Sequence, residues 1–261
     1  MRYALALEYD GRPFCGFQSQ PSGCGVQDTL QRALSSVADT AVSVVAAGRT
    51  DAGVHACSQV VHFDTDAQRA EMAWVRGVNA KLPAAAAVLW AQTVDEEFHA
   101  RFAASARHYS YLLLARGERP GLSAGRVGWY HHPLDVDAMQ RAATQVVGEH
   151  DFSSFRSAQC QAKTPVKTLH LARVRTAGDD LIRFDFSANA FLHHMIRNLV
   201  GALVYVGAGK HDEAWISSVL EARDRRIAPP TFAADGLYFT GADYDGRFGL
   251  PPTRRDVVPW A

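Results

Sequence analysis

Two hydrophobic periodicities alternate along this chain, and their interleaving constrains its fold more than any other feature. Alternation of apolar residues predicts strands over Tyr3–Tyr9, Val42–Ala46, Gln59–Phe63, Val88–Gln92, His108–Leu114, Lys167–Arg175 and Leu181–Ser187. Helical spacing of Val26, Leu30, Ala33, Leu34 and Val37 predicts a helix between the first two strands. The same spacing recurs at Met139, Ala142, Ala143, Val146 and Val147, with Asp135 as N-cap and Gly148 as the stop. A strongly apolar helix is expected over about Ala190–Val206, another across Glu213–Ala222, and a last strand near Leu237–Phe239. Several strands follow one another closely enough for antiparallel hairpins, which favours α+β over a doubly wound parallel sheet. Two related halves joined in one larger sheet, with a cleft where they meet, satisfy this order.

A chain of 261 residues with 48% apolar and 21% charged residues can bury a substantial core. No apolar run approaches the roughly 18 residues of a membrane span. The amino terminus, MRYALALEYDG, lacks a cleavable signal pattern. A cytoplasmic protein is expected. Cys15, Cys24, Cys57 and Cys160 lie far apart without a CxxC pair. They read as free buried thiols in a reducing compartment, and no spacing supports a zinc site.

Net charge is zero, yet it is unevenly distributed. Phe98–Gly117 contains Arg101, Arg107 and Arg116 without an acid. Phe152–Gly178 contains Arg156, Lys163, Lys167, Arg173 and Arg175 without an acid, and Phe186–His211 repeats the pattern with Arg197 and Lys210. Such segments either converge into a phosphate-binding face or remain scattered solvated stretches. Arginine outnumbers lysine 23 to 4, which suits bidentate phosphate contacts.

The segment richest in chemistry is Ala46-Ala47-Gly48-Arg49-Thr50-Asp51-Ala52-Gly53-Val54-His55-Ala56. One strand enters it and another leaves. Gly48 and Gly53 bracket the loop and permit positive φ and close approach by a ligand. A carboxylate at the tip can reach a substrate, and Arg49 can anchor a phosphate. By pattern alone, the ordinary-turn reading, with Asp hydrogen-bonding its own backbone, takes precedence. It lacks the Gly-Lys-Ser/Thr ending of a P-loop.

The string GRTDAGVHA, followed by QVVHF, resembles the catalytic motif of the TruA family of tRNA pseudouridine synthases. The resemblance runs along nearly the whole chain. It includes EYDGRPFCGFQSQ, VQDTLQRAL, GVNAKLP, FHARFAASARHYSYLL, HHPLDVDAMQRAATQVVGEHDFSSFR, the KTP turn, FLHHMIRNLVGAL and ADGLYF. It implies two similar ferredoxin-like α/β halves forming one mainly antiparallel sheet, helices packed on it, and a central active-site cleft. Residues 1–105 would carry the Asp loop, and 106–261 the Tyr strand and Arg helix. The implied activity is cofactor-independent, metal-free isomerisation of uridine at tRNA positions 38–40 by a homodimer. Asp51 is the implied nucleophile, Tyr109 contacts the base, Arg197 partners the carboxylate, and Arg49 contacts the RNA backbone. Further candidate RNA contacts are Arg101, Arg107, Arg156 and Lys163. One departure stands out: a motif often written GWQRQ is GFQSQ here, where Phe17 keeps the aromatic bulk and Ser19 removes a cation.

The residues alone are compatible with these roles. Tyr109, Tyr111 and Leu113 share one strand face. Arg197 lies off the apolar stripe of its helix, on the side of His193 and Gly201. Adjacent helical residues such as His193 and His194 diverge by about 100° and would chelate poorly. His55 and His62 would face opposite sides of one strand. A non-catalytic tRNA-binding or chaperone protein and a metal-dependent nuclease are the alternatives.

Overall fold

The computed structural model describes residues 1–257, which form two compact units. Among the described residues, the first comprises Met1–Arg107 together with residues 238–257, and the second is His108–Leu237. The architecture is α+β.

In the first unit, β1 (Arg2–Tyr9), α1 (Val26–Ala38), β2 (Val44–Ala46), β3 (His55–Asp64), α2 (Glu71–Asn79) and β4 (Ala86–Val94) follow one another. β1 pairs antiparallel with both β3 and β4, and β2 pairs antiparallel with β3, giving β4-β1-β3-β2. That sequence of elements, βαββαβ, is the ferredoxin-like unit. The carboxy-terminal strand β10 (Leu237–Tyr244) joins β3 in parallel at Tyr238↔His55 and Phe239↔Ala56. This pairing explains why the last strand belongs with the first unit, whereas a simple division of the sequence groups it with residues 106–261.

In the second unit, β5 (Ala104–Ala115) begins in the first unit's last residues and continues through the second. It is followed by β6 (Gly128–Tyr130), α3 (Val136–Thr144), β7 (Gly148–Asp151), β8 (Val166–Thr176), β9 (Leu181–Ala188), α4 (Met195–Gly207) and α5 (Trp215–Ala222). The strand order in this unit is β5-β9-β8-β7, with β6 on the side of β5. β8 is antiparallel to β7 and β9, and β6 runs parallel to β5. Asp135 caps α3 as expected, accepting from Ala138 N at 2.8 Å.

Several expectations need correction. α2 was missed: it buries only Trp74 and Val78, and its Gly77 reads as a breaker. That glycine lets α1 approach, since a Cβ there would lie 3.1 Å from Val37. α3 ends at Thr144, and Gly148, at φ +112, opens β7 instead of stopping the helix. α4 begins at Met195, not near Ala190, because His194 takes φ +64 and breaks the helical path. The helical argument about His193 and His194 therefore lapses, and their rings pack 4.0 Å apart. Alternation also fails between His55 and His62. The pairings Leu7↔Gln59 and Tyr9↔Ala56 place an extra residue in β3, a bulge that resets the faces. The two rings are separated by about 20 Å of strand and have different partners: His55 Nδ1 accepts from Gly11 N and His62 Nδ1 from Ala100 N, both at 3.1 Å.

The cysteines also depart from expectation. Cys15 and Cys24 form a disulfide with Cα atoms 5.4 Å apart, while Cys57 and Cys160 are half-buried and not disulfide-bonded. Their spacing concealed the pair, because the chain between them turns back and Cys15 N donates to Cys24 O at 3.1 Å. Among the described residues, no helix is long and apolar enough to cross a membrane.

Two outcomes follow from this packing. Closing so short a loop restricts the unfolded chain, so Cys15→Ser lowers unfolding free energy by about 2–3 kcal/mol. Denaturant titration with and without dithiothreitol checks it, the difference vanishing in the reductant. Burial, aided by His99 and Arg2, pushes His62 down to about 4, so the folded protein holds it neutral where the unfolded chain takes up a proton. The stability this gives is complete above about pH 6.5 and is lost as pH falls toward about 4. His62→Gln flattens that slope in a pH series of denaturant melts.

Candidate functional site

The first unit places Asp51 in a loop whose backbone is held on both sides. β2 and β3 supply the stem, and Ala47 N donates to Val60 O at 2.8 Å. Gln59 Nε2 donates to Gly48 O at 2.7 Å. Arg107 donates through Nε and Nη2 to Ala47 O, both at 3.3 Å, through Nη1 to Ala104 O at 2.9 Å, and also through Nη2 to Arg101 O. Next to Asp51, the buried Thr50 hydroxyl meets the Tyr9 hydroxyl at 2.8 Å, and Thr50 O accepts from Phe17 N at 2.9 Å. Burial pushes Tyr9 up to about 12, so its phenol stays protonated in this contact. Beyond Asp51, Val54 N closes a turn on Asp51 O at 3.2 Å and Gly53 takes φ +80.

Glycines from the segment after β1 make this approach feasible. A Cβ on Gly11 would lie 2.1 Å from Val54 O. Gly16, at φ +93, would place one 3.0 Å from Thr50 O and 3.3 Å from the Asp51 carbonyl carbon. Asp51 itself is half-buried and Arg49 exposed. Phe17 is buried among these groups. Ser19 donates its hydroxyl to Asp28 Oδ1 at 2.5 Å, and Asp28 also accepts from Gly25 N at the start of α1. Serine at the position of the missing cation therefore serves the helix terminus.

The second unit carries the other predicted site residues. Tyr109 is buried on β5, with Phe191 edge-on at 5.2 Å. On α4, Arg197 Nε donates to Phe232 O at 2.8 Å. Phe232 belongs to a strap, residues 229–236, laid along that helix. Gly201 gives it room, since a Cβ there would lie 3.1 Å from Pro230 O. Tyr111, fully buried, donates its hydroxyl to Ala233 O at 3.0 Å and holds the strap from the strand side. Burial pushes that phenol well above its ordinary range. The following helical residue, Asn198, is also buried and donates to Phe155 O at 2.7 Å while accepting from Arg225 at 3.1 Å. Tyr9, Thr50, Phe191 and the Phe232 carbonyl were missed from sequence. Phe191 had a signal, standing just ahead of the HHMIRN string.

Of the candidate RNA contacts, Arg49, Arg101 and Lys163 are exposed, and Arg156 is half-buried with Nη2 3.4 Å from Cys160 O. Arg107 is half-buried and its guanidinium serves backbone carbonyls. Asp51, Arg49, Arg101 and Arg107 belong to the first unit. Tyr109, Arg156, Lys163 and Arg197 belong to the second.

The α+β chain thus carries a carboxylate on a doubly anchored loop in its first unit, and an aromatic strand and an oriented arginine in its second. A family model described as tRNA pseudouridine synthase matches residues 5–103 and 142–245. The chain belongs to that family, and is an isomerase. It is 59% identical to tRNA pseudouridine synthase A of Methylobacillus flagellatus, over 98% of both chains. It is 58% identical to the Thiobacillus denitrificans protein of the same name, over 96% of both chains. The Burkholderia mallei protein of that name is 54% identical over all of this chain and 96% of its own. A Cbf5-Nop10-Gar1 complex structure aligns with 94% of this chain and 49% of its own at TM-score 0.38 and 11% identity.

The buried hydroxyl pair beside Asp51 gives a stability test. Tyr9→Phe leaves the Thr50 hydroxyl without that partner and costs about 1–3 kcal/mol. Thr50→Val added to it recovers part of the loss, because both polar groups are then gone. Denaturant melts of the two single variants and the double variant measure the coupling.

Proposed function

We propose that this isomerase converts uridine to pseudouridine at positions 38–40 in the anticodon arm of tRNA, with Asp51 as the nucleophile. The observation that most supports this is the anchoring of the Asp51 backbone from Thr50 on one side and the Val54 turn on the other. The reaction breaks the N-glycosidic bond, turns the base, rejoins it through C5 and releases the C5 hydrogen as a proton. Nothing is oxidised and no group is imported, so a carboxylate and a closed pocket suffice without a cofactor or metal. Asp51 attacks C1′, assists deprotonation toward a glycal, or attacks C6 of the base. Each route uses the carboxylate in its ionised form.

Arg197 is the proposed partner of that carboxylate. A guanidinium near Asp51 favours ionisation in a site from which water has been removed. The Phe232 carbonyl on Nε restricts how the fork turns. Tyr109, braced by Phe191, is the proposed contact for the extruded base. Arg49, with Arg101, Arg156 and Lys163, is assigned to RNA, offsetting the few kcal/mol that unstacking costs, and Arg107 serves that role through the carbonyls it ties beside Arg101. A cytoplasmic homodimer gripping one tRNA completes the reading.

Release of tritium from tRNA labelled at uridine C5 tests the activity directly. Asp51→Asn abolishes release, by about a thousandfold or more, with tRNA affinity within about threefold of wild type. Wild-type rates in Asp51→Ala would sink the assignment and favour a tRNA-binding protein without chemistry. Arg197→Met lowers kcat by about a hundredfold or more. It also moves the acid limb of the pH–rate profile upward, because the carboxylate loses the charge that favours its ionised form.

A further inference from the structure

The turn 98–103 presents a side chain that the chemistry above does not use. Phe102 is 75% exposed, although the neighbouring Phe98 is fully buried against Tyr244 and Phe248. The Phe102 ring does not hang loose. It stacks on His99 with centroids 4.3 Å apart and planes 26° from parallel. His99 is itself pinned, its Nδ1 accepting from Arg101 N at 3.2 Å and Phe102 N at 3.1 Å. Ala103 N closes the turn on His99 O at 2.9 Å. Burial, with Arg2 and Arg101 nearby, holds His99 below the ordinary histidine range, which keeps Nδ1 available as an acceptor. Arg101 lies with its guanidinium carbon 5.5 Å from the Phe102 centroid.

We propose that Phe102, backed by His99 and flanked by Arg101, is a stacking platform for a nucleobase of the tRNA substrate. This rests on reading the chain as a tRNA-modifying enzyme. Three observations favour RNA as the occupant. First, the Arg107 guanidinium bonds both Arg101 O in this turn and Ala47 O at the entrance to the Asp51 loop, so the platform is tied to the proposed catalytic segment. Second, Phe98–Gly117 contains no acid, and the nearby Asp64 and Glu97 pair with Arg2 and Arg247. Third, an aromatic ring held on one side by a fixed partner loses little freedom when a base adds to its other side, and every base offers a π-face. Arg101 adds a phosphate contact or a cation–π edge.

Affinity of unmodified tRNA for the full chain, measured by fluorescence anisotropy across a salt series, tests the platform. Phe102 is exposed, so substitution there spares the core. Phe102→Ala and Phe102→Leu weaken binding roughly 5- to 100-fold, while Phe102→Tyr and Phe102→Trp retain it. The salt slope is unchanged in Phe102→Ala and falls by about one in Arg101→Ala. Wild-type affinity in Phe102→Ala overturns the proposal. So does full affinity in Phe102→Leu, which would make the contact merely apolar. A change in sedimentation state with tRNA affinity intact also overturns it, assigning the ring to a protein contact. Tritium release by wild type is scored separately: its absence removes the proposed isomerisation, whereas the binding series still decides the stacking.

Discussion

The loop that carries Asp51 depends on a close backbone approach within the first unit, where residues 9–17 lie against it. Three contacts define it: the Tyr9–Thr50 hydroxyl pair, the Phe17 N–Thr50 O bond, and the packing of two glycines against the loop carbonyls. Neither glycine tolerates an ordinary side chain, since a Cβ at Gly11 would overlap Val54 O and Gly16 takes φ +93. The string EYDGRPFCGF is therefore the structural counterpart of GRTDAG. One string supplies the carboxylate and the other the surface that sets its backbone. The Cys15–Cys24 bridge adjoins Gly16 and Phe17, whose carbonyls accept from Val26 N and Gln27 N at the start of α1.

The second unit solves a comparable problem with a strap. An arginine on a helix has many rotamers, and a site that uses it must remove most of them. Here the Phe232 carbonyl takes Nε, Tyr111 holds the strap through Ala233, and Gly201 lets the strap lie on the helix. The two tyrosines of the RHYSY strand thus have different work within one face. Tyr111 is a structural donor sealed from solvent, and Tyr109, two residues earlier, is braced edge-on by Phe191. Spacing alone puts both on one face and cannot assign these roles, because the difference lies in what each ring meets.

Much of the architecture was legible because it rests on periodicity. β1, α1, β8 and β9 follow local alternation or helical spacing almost residue for residue. What escaped depends on partners remote in sequence. α2 has a glycine where α1 packs, and no local pattern announces that neighbour. α4 looks helical from Ala190, yet Phe191 is held beside Tyr109 and His194 adopts a left-handed turn. The disulfide joins cysteines brought together by a loop with no regular element. The residues expected at the site were found through a long motif, while the hydroxyl pair, the strap carbonyl and the Phe191 brace are visible only in three dimensions.

Arg107 shows why charge pattern is an incomplete guide to a nucleic-acid surface. In sequence it belongs to an acid-free basic segment and is indistinguishable from Arg101. In the structure its guanidinium spans the carbonyls of Ala47, Ala104 and Arg101, three groups on separate parts of the backbone. A planar donor fork suits such bridging, and lysine, with a single ammonium centre, could not reproduce its geometry. Arginine in this chain thus plays two parts, exposed cation and internal tie. Here the second enables the first, since the tie at Arg107 sets the loop bearing Arg49 and the turn bearing Arg101 in one framework. A chain with no net charge can use some of its arginines in this way to fix where others stand.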